Sequence, residues 1–249
     1  MHYKLIGCKI FEREIASVVY DCKNTIDVTL LRQRLHDTPE KLKEALREEL
    51  ALIEENKHLH SNDTSAHDYD AILIGYGLCA NAIVGLSSKR YPLIIPRAHD
   101  CVTLIMGDKG LYESYHRKNP GSFFYWPGNM RFEGVGKAES YERKYLMYLD
   151  RYDGDEERAR TIMEIEAMMT VNYDSITYIC WENLLFPEYE AEARKTAEEK
   201  GWEYRPFAGS NTLLRKLVDG NWSEEDFLIV PPGRSAKPSY DARVITEAE

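Results

Sequence analysis

Cysteine and histidine side chains follow several short apolar runs of this 249-residue chain. Cys8 closes the first run, His36 follows the second, Cys79 the third, and His99 and Cys101 the fourth. Thiolate and imidazole ligands favour zinc, with iron or copper as alternatives, and three protein ligands leave one coordination position open for substrate. The sequence therefore predicts a metal site in which Cys79, His99 and Cys101 are ligands. Cys8 is expected to be a fourth ligand or a free nucleophile.

Two other interpretations of the cysteines stay open. They could form a metal-free thiol site, or they could be small buried apolar groups, which free cysteines most often are. In the metal hypothesis Cys8 and His36 complete or flank the site, and Asp100 or Arg97 orients the substrate. Cys22, which follows a helical stretch, is expected to lie outside the cluster.

The segment Gly75-Tyr76-Gly77-Leu78-Cys79-Ala80 directly follows the third apolar run and fits the G-x-G-x-x-G/A pattern of dinucleotide sites. The acidic residue that usually binds the ribose is missing from the end of the next run. Arg97 stands there and could accept a 2′-phosphate instead. Alternatively, the glycines let the chain turn tightly beside whatever Cys79 contacts. Gly75, Tyr76 and Gly77 are the cofactor-binding candidates of this segment.

A second turn, Phe207-Ala208-Gly209-Ser210-Asn211-Thr212, resembles a junction between a strand and a helix. Ser210 and Asn211 are expected to cap a helix that begins near Thr212, and its exposed N-terminus would attract an anionic group. Gly209, Ser210 and Asn211 are therefore further cofactor-binding candidates, with capping alone the favoured interpretation. The polar segment 58–67 holds three histidines and is expected to be a solvated loop rather than a metal site.

These side chains need a sheet that brings several strand ends to one edge. Apolar runs predict β-strands at 4–10, 25–30, 71–75, 92–96, 123–126, 176–181, 203–207 and 227–230. Helical periodicity lies between them, most clearly after Thr38-Pro39-Glu40, where Leu42, Leu46, Leu50 and Ile53 form an apolar stripe. Short apolar strands separated by helices indicate a doubly wound α/β protein, with a mostly parallel sheet and helices on both faces.

The order of elements recurs and suggests two similar Rossmann-like lobes. The second βαβαβ unit is expected to end with the strand at 227–230. The expected division is an N-terminal α/β lobe at 1–130, a helical connection at 131–172, and a C-terminal α/β lobe and tail at 173–249. Apolar residues of the connection are expected to make core contacts: Ile162, Ile165, Met168 and Met169. The tail from 235 onward is expected to lie extended on the surface or to be partly disordered.

Composition excludes several classes of protein. Lys and Arg number 32 against 42 Asp and Glu, a net charge of −10, and the basic residues form no concentrated stripe. Nucleic acid is therefore an unexpected partner. No apolar run approaches the length of a membrane-spanning helix, no signal peptide is evident, and five cysteines lack the spacing of a secreted disulfide scaffold. A cytoplasmic location is expected.

Several motifs together resemble domain-of-unknown-function family 1638. They are Tyr76-Gly77-Leu78-Cys79, Pro96-Arg97-Ala98-His99-Asp100-Cys101, Cys8, Leu35-His36 and Val230-Pro231-Pro232-Gly233. The resemblance covers nearly the whole chain and implies a setting in anaerobic bacteria and methanogenic archaea, near corrinoid-dependent methyl transfer. The chain departs from the family pattern at Trp126-Pro127-Gly128-Asn129, where an aromatic residue usually follows Pro-Gly, and it lacks the D-x-H-x-x-G motif of corrinoid carriers.

Two function hypotheses follow from the residues and the resemblance. The first is a metal-dependent enzyme of one-carbon or methyl-group metabolism, a methyltransferase-type transferase in which zinc or iron activates a thiol toward a methyl donor. A corrinoid would then be a partner-bound substrate, and a corrinoid protein or methyltransferase would be the partner. The second is a non-catalytic accessory protein that binds a metal, a corrinoid or a small metabolite for such a methyltransferase.

Overall fold

The computed structural model describes residues 1–33, 35, 38–57, 68–79, 81–133 and 141–248. The chain forms two compact units, one of Met1–Tyr112 with Gly209–Glu249 and one of Glu113–Ala208. The division thus differs from the consecutive parts 1–130, 131–172 and 173–249, because the last segment of the chain returns to the first unit.

Strands and helices alternate through most of the described chain. The strands are β1 (His2–Cys8), β2 (Thr25–Leu31), β3 (Ala71–Gly75), β4 (Leu93–Pro96), β5 (Ser122–Tyr125), β6 (Ser175–Cys180), β7 (Glu203–Ala208), β8 (Phe227–Val230), β9 (Ser235–Pro238) and β10 (Ile245–Ala248). The helices are α1 (Glu12–Tyr20), α2 (Pro39–Glu54), α3 (Cys101–Met106), α4 (Lys109–Lys118), α5 (Pro127–Glu133), α6 (Tyr141–Arg151), α7 (Glu156–Thr170), α8 (Pro187–Lys200) and α9 (Thr212–Asp219). Each of the eight strands predicted from sequence is present, with ends within two residues of the prediction.

A five-stranded sheet of order β2-β1-β3-β4-β8 is the core of the first unit. β1 is parallel to β2 and β3, β3 is parallel to β4, and β8 is antiparallel to β4. β3 and β4 are buried along their whole length, which explains their continuous apolar sequences, whereas β2 at the edge is partly exposed. The predicted α/β fold with a mostly parallel sheet is confirmed.

Local sequence features determine where helices of the first unit begin and which face they bury. α2 begins where Thr38 and Pro39 predict, and its stripe of Leu42, Leu46, Leu50 and Ile53 is buried. The connections from β1 to β2 and from β2 to β3 run in opposite directions across the sheet. Right-handed crossovers therefore place α1 and α2 on opposite faces. α9 packs beside α1 and against β3 and β4.

The second unit is built on the parallel sheet β5-β6-β7. Ile176 and Tyr178 of β6 pack with Ala193 and Ala197 of α8 in a common apolar cluster. The expectation that 227–230 completes this second sheet was wrong, because β8 pairs with β4 in the first unit. The order of elements along a chain does not reveal which sheet a late strand joins.

The predicted helical connection consists of two helices, α6 and α7, with a turn between them. Ile162 and Met163 pack with the buried Tyr148 in a small apolar cluster. The expected core roles of Ile165 and Met168 were wrong, since these side chains are 46% and 69% exposed.

The C-terminal segment is also tied into the first unit. β9 and β10 form an antiparallel hairpin in which Ala236 and Ile245 are buried, so the segment is not a simple surface extension. Arg97, itself buried, holds this hairpin and the start of β8 in place. Its Nε donates to the carbonyl oxygens of Glu224 at 2.8 Å and Phe227 at 3.2 Å, and its Nη1 donates to those of Arg243 at 3.0 Å and Ile245.

Replacing Arg97 by Met is expected to lower the free energy of unfolding by about 2–4 kcal/mol, because buried carbonyl groups lose a charged donor. Urea denaturation measures the loss. Arg234→Met is the matched control, since Arg234 pairs with Glu247 at 3.3 Å on the surface and is expected to cost less than about 0.5 kcal/mol. Equal losses in the two variants would contradict the structural role of Arg97.

Candidate functional site

The strand order of the first unit reverses between β1 and β3, which lie side by side at the centre of the sheet. In open α/β sheets, ligands bind outside the carboxyl ends of the strands at such a switch point. Gly7 of β1 lies opposite Gly75 of β3. The next residues along the two strands are Cys8 and Tyr76, and the register therefore places these two side chains next to each other at this edge.

Glycines allow the loops at this edge to approach closely. A Cβ atom on Gly75 would lie 3.2 Å from the Cα of Gly7. On Gly77 it would lie 2.9 Å from both the backbone N and the backbone O of Asp100, a distance that real Cβ atoms do not adopt. The interpretation of the glycine-rich segment as a tight turn therefore has a direct geometric basis. The dinucleotide interpretation stays a prediction.

Backbone hydrogen bonds join this turn to the loop that follows β4. The N–H of Leu78 donates to the carbonyl of Ala98 at 2.8 Å, and that of Cys79 donates to the carbonyl of His99 at 3.2 Å. Cys79 has a φ of 44°, a left-handed conformation that is rarely adopted by residues other than glycine, Asn and Asp. The structure thus holds Cys79 in a strained conformation between the two loops.

Cys8, Tyr76 and Cys79 form a group that we call the Tyr76 cluster. Tyr76 is only 3% exposed, and among the described residues its hydroxyl makes no strong hydrogen bond, since the side chain that interacts with it is the thiol of Cys8, a weak acceptor. Burial raises the pKa of the Tyr76 hydroxyl well above its usual value, and the thiols of Cys8 and Cys79 raise it further. The hydroxyl therefore stays protonated at physiological pH and is available as a hydrogen-bond donor.

The thiols of the Tyr76 cluster are in a weakly solvated environment. Burial raises the pKa of Cys79 to about 12, with Cys8 and Asp100 adding to the effect, while a hydrogen bond from the Gly77 backbone acts in the opposite direction. Cys79 is therefore a neutral thiol at physiological pH. A reactive thiolate is not preformed, since reactive cysteines have a lowered pKa.

Asp100, a predicted catalytic residue, caps helix α3. Its Oδ1 accepts hydrogen bonds from the N–H of Thr103 at 3.1 Å and the hydroxyl of Thr103 at 3.3 Å. Its Oδ2 accepts one from the hydroxyl of Tyr112 at 3.0 Å. Cys101 begins α3 and is partly buried, near enough to Tyr112 to raise the pKa of that hydroxyl. These contacts give Asp100 a structural role beside the Tyr76 cluster.

The structure brings together some of the predicted metal ligands. Cys8 lies close enough to Cys79 to raise the pKa of the Cys79 thiol. The His99 side chain, in contrast, is exposed. Within the part of the chain that the structure describes, no three His, Cys, Asp or Glu side chains are arranged to hold a metal ion. The ligand set Cys8, Cys79, His99 and Cys101 therefore stays a prediction. His36 and segment 58–67 lie outside the described residues.

Two other predicted binding groups have structural roles. Arg97, expected to orient substrate or bind a 2′-phosphate, donates to backbone carbonyls instead. The N–H of Ser210 donates to the carbonyl of Met106 at 3.2 Å, and its hydroxyl accepts from the N–H of Thr212 at 3.2 Å. Asn211 occupies the N-cap position of α9, but its side chain makes no capping hydrogen bond, so that part of the capping prediction was wrong. Gly209 precedes them at the start of the returning segment.

Sequence reasoning missed Glu14, a buried carboxyl group in the first turn of α1. It is 2% exposed, and its Oε2 has no hydrogen-bond partner among the described residues. Burial raises its pKa from 4.5 to about 7, although its own backbone N–H and the neighbouring Arg13 act in the opposite direction. The signal was present in the sequence, because Glu14 lies on the same helix face as the buried Ile15 and Val18.

Cys22 lies away from the Tyr76 cluster, as expected. Its thiol donates to the carbonyl of Val218 at 3.3 Å, beyond the end of α1. No described helix is long and apolar enough to cross a membrane.

Comparison with known proteins shows that the chain belongs to a protein family. A family model described as "Protein of unknown function (DUF1638)" matches residues 30–218. The match includes the glycine-rich turn and the loop after β4, but it leaves out β1 with Cys8 and the segment from β8 onward. No curated protein and no solved structure matches the chain.

Tyr76→Phe is expected to leave the free energy of unfolding unchanged or to raise it by up to about 1 kcal/mol, because it removes a buried donor whose side-chain partner, the Cys8 thiol, is a weak acceptor. Tyr69→Phe is the matched control: its hydroxyl donates to Asp27 at 2.7 Å, and its loss is expected to cost about 1 kcal/mol. Urea denaturation of both variants measures the difference. A clear destabilisation by Tyr76→Phe would show that the hydroxyl has a partner within the protein.

Glu14 is expected to make stability depend on pH. Because its pKa is higher in the folded protein than its ordinary 4.5, its contribution is most favourable below pH 4.5 and declines as the pH rises to about 7. The decline amounts to about 3 kcal/mol. The difference in unfolding free energy between wild type and Glu14→Gln, measured from pH 4 to 8, is expected to follow this curve. Glu12→Gln, in the same helical turn, controls for the loss of one charge, and a flat difference for Glu14→Gln would contradict the prediction.

Proposed function

This chain is a member of the DUF1638 family, and we propose that it binds a small molecule of one-carbon metabolism at the Tyr76 cluster. The observation that carries the proposal is the Tyr76 hydroxyl, which is buried at the switch point and, among the described residues, has only the thiol of Cys8, a weak acceptor, as a side-chain partner. Buried polar groups without a partner are uncommon in proteins and destabilise them. A ligand that accepts a hydrogen bond from this hydroxyl would remove that cost.

The chemistry of the cluster limits what the ligand can be. Tyr76 supplies a neutral donor, and the thiol of Cys79 is neutral as well, so these two side chains offer no ionised group to a ligand. The closely packed loops around Gly77 favour a small ligand over a large one. We therefore favour a small metabolite with a hydrogen-bond acceptor and an apolar part that contacts the two thiols.

The accessory-protein hypothesis agrees best with the neutral thiol of Cys79, because binding does not require a thiolate. The enzyme hypothesis remains a second candidate, since two cysteines adjoin the proposed ligand position. In that case a thiol would attack the methyl carbon of a donor such as a methyl-corrinoid. A carbon–sulfur bond would form, the carbon–cobalt bond would break with its electron pair staying on cobalt, and the thiol proton would pass to solvent.

Zinc or iron would lower the pKa of such a thiol, and that part of the enzyme hypothesis stays a prediction. The cysteine and histidine residues at this edge of the sheet support a metal by their type, whereas the arrangement of the described residues does not. A cytoplasmic location, and a corrinoid protein or methyltransferase as partner, are likewise proposed from the family resemblance alone.

Ligand binding is tested with protein purified anaerobically and then denatured, with the released small molecules identified by mass spectrometry. We expect wild type and Tyr69→Phe to release a compound in stoichiometric amount, and Tyr76→Phe to release clearly less, since a lost hydrogen bond of about 1.4 kcal/mol weakens the affinity about tenfold. Equal release from Tyr76→Phe and wild type would contradict the proposed ligand position.

Methyl transfer is tested by incubating the protein with methylcobalamin and measuring the intact mass of the chain. The enzyme hypothesis expects one added methyl group that Cys8→Ala or Cys79→Ala prevents and Cys22→Ala does not. Unmodified protein, or a methyl group that survives both substitutions, would leave the accessory role as the function that agrees with the structure. Elemental analysis of the same sample shows whether zinc or iron is present.

A further inference from the structure

Glu14 and the Tyr76 cluster approach the carboxyl edge of the sheet from different sides. A Cβ atom on Gly7 would lie 2.7 Å from Cδ1 of Ile15, so α1 covers that face of β1 at its end. Side chains alternate along a strand, and Cys8 is therefore directed to the opposite face. Glu14 is a separate buried polar group that the proposed function does not use.

Helix α9 lies alongside α1 in the same direction. Nη1 of Arg215 donates to the carbonyl of Val18 at 2.9 Å, and Sγ of Cys22 donates to the carbonyl of Val218 at 3.3 Å. Glu14 lies one helical turn before Val18 on α1, and Asn211 lies one helical turn before Arg215 on α9. The register therefore brings the buried carboxyl group level with an N-cap residue whose side chain is not engaged in capping.

The charges around Glu14 leave its carboxylate poorly compensated. Arg13 is the one charged side chain whose effect on Glu14 is resolved among the described residues, and burial outweighs it. Arg215, the nearest cation along α9 in this register, donates instead to Val18 and pairs with Asp21 at 3.4 Å. An ionised carboxylate in such a position is stable only if it gains a partner with opposite charge and hydrogen-bond donors.

We propose that Glu14 binds a nitrogen cation with N–H donors, such as an ammonium or amidinium group of a small molecule, at its position in the first turn of α1. The buried Oε2, which has no hydrogen-bond partner among the described residues, supplies the acceptor and the negative charge. The net charge of −10 favours the approach of a cation over an anion. The described residues offer no further carboxylate, thiolate or imidazole in a group that could hold a metal ion, so a hydrogen-bonding cation fits better than a metal.

Binding of the cation must be linked to the proton on Glu14. In the free protein about half of the carboxyl groups are protonated near neutral pH, because the pKa is about 7. A cation binds the ionised form and releases that proton. Its affinity is therefore expected to rise as the pH increases through 7 and then to level off.

The test follows the side-chain carboxyl carbon of Glu14 by NMR in ¹³C-glutamate-labelled protein, with Glu14→Gln used to assign the signal. The titration is run in ammonium chloride and in potassium chloride at equal ionic strength, because potassium has a similar size and charge but no N–H donor. We expect the titration midpoint to fall by about one pH unit in ammonium, which corresponds to tenfold stabilisation of the ionised form.

Controls separate this site from the Tyr76 cluster. Tyr76→Phe is expected to leave the ammonium effect unchanged, so failure of the proposed function would not affect this result. Glu12→Gln is expected to leave it unchanged as well. Equal midpoints in ammonium and potassium would overturn the proposal, and so would a midpoint near the ordinary value of 4.5, since the carboxyl group would then already have its partners.

Discussion

The parallel register of β1 and β3 is the constraint on which the candidate site depends. Gly7 lies opposite Gly75, and the missing side chains let the two strands and the following loops approach closely. The residues immediately after this pair are Cys8 and Tyr76. A shift of register by one residue would turn one of these side chains to the other face of the sheet. The Tyr76 cluster is thus a direct consequence of how two buried strands pair.

The polar groups of this unit fall into two kinds. Arg97 and Tyr69 are buried and fully engaged, and each holds parts of the chain together. Tyr76 and Glu14 are equally buried, yet among the described residues the Tyr76 hydroxyl has only a weak thiol acceptor and Oε2 of Glu14 has no partner. Both of the latter lie at the carboxyl edge, where α/β proteins bind their ligands. This difference, rather than any one motif, separates the site from the scaffold.

Local patterns predicted the strands well, because each is a short apolar run bounded by turn residues. The same patterns did not predict that β8 joins the first sheet antiparallel to β4, since pairing between distant segments leaves no periodic mark in the sequence. Counting thiols and imidazoles at strand ends found Cys8 and Cys79, which the register does bring together. It also assigned substrate binding to Arg97, whose role as a donor to distant carbonyls depends on the returning C-terminal segment. Glu14 was missed because a charged residue in a helix is usually exposed.

The most direct test of the account is a high-resolution crystal structure of the protein as purified under anaerobic conditions, with attention to the electron density around the Tyr76 hydroxyl. The account predicts a non-protein acceptor within hydrogen-bond distance of that oxygen, in the form of a bound small molecule or an ordered water that holds its place. A hydroxyl donating instead to a carbonyl, carboxylate or amide oxygen of the protein would contradict the claim that this position is built for a ligand.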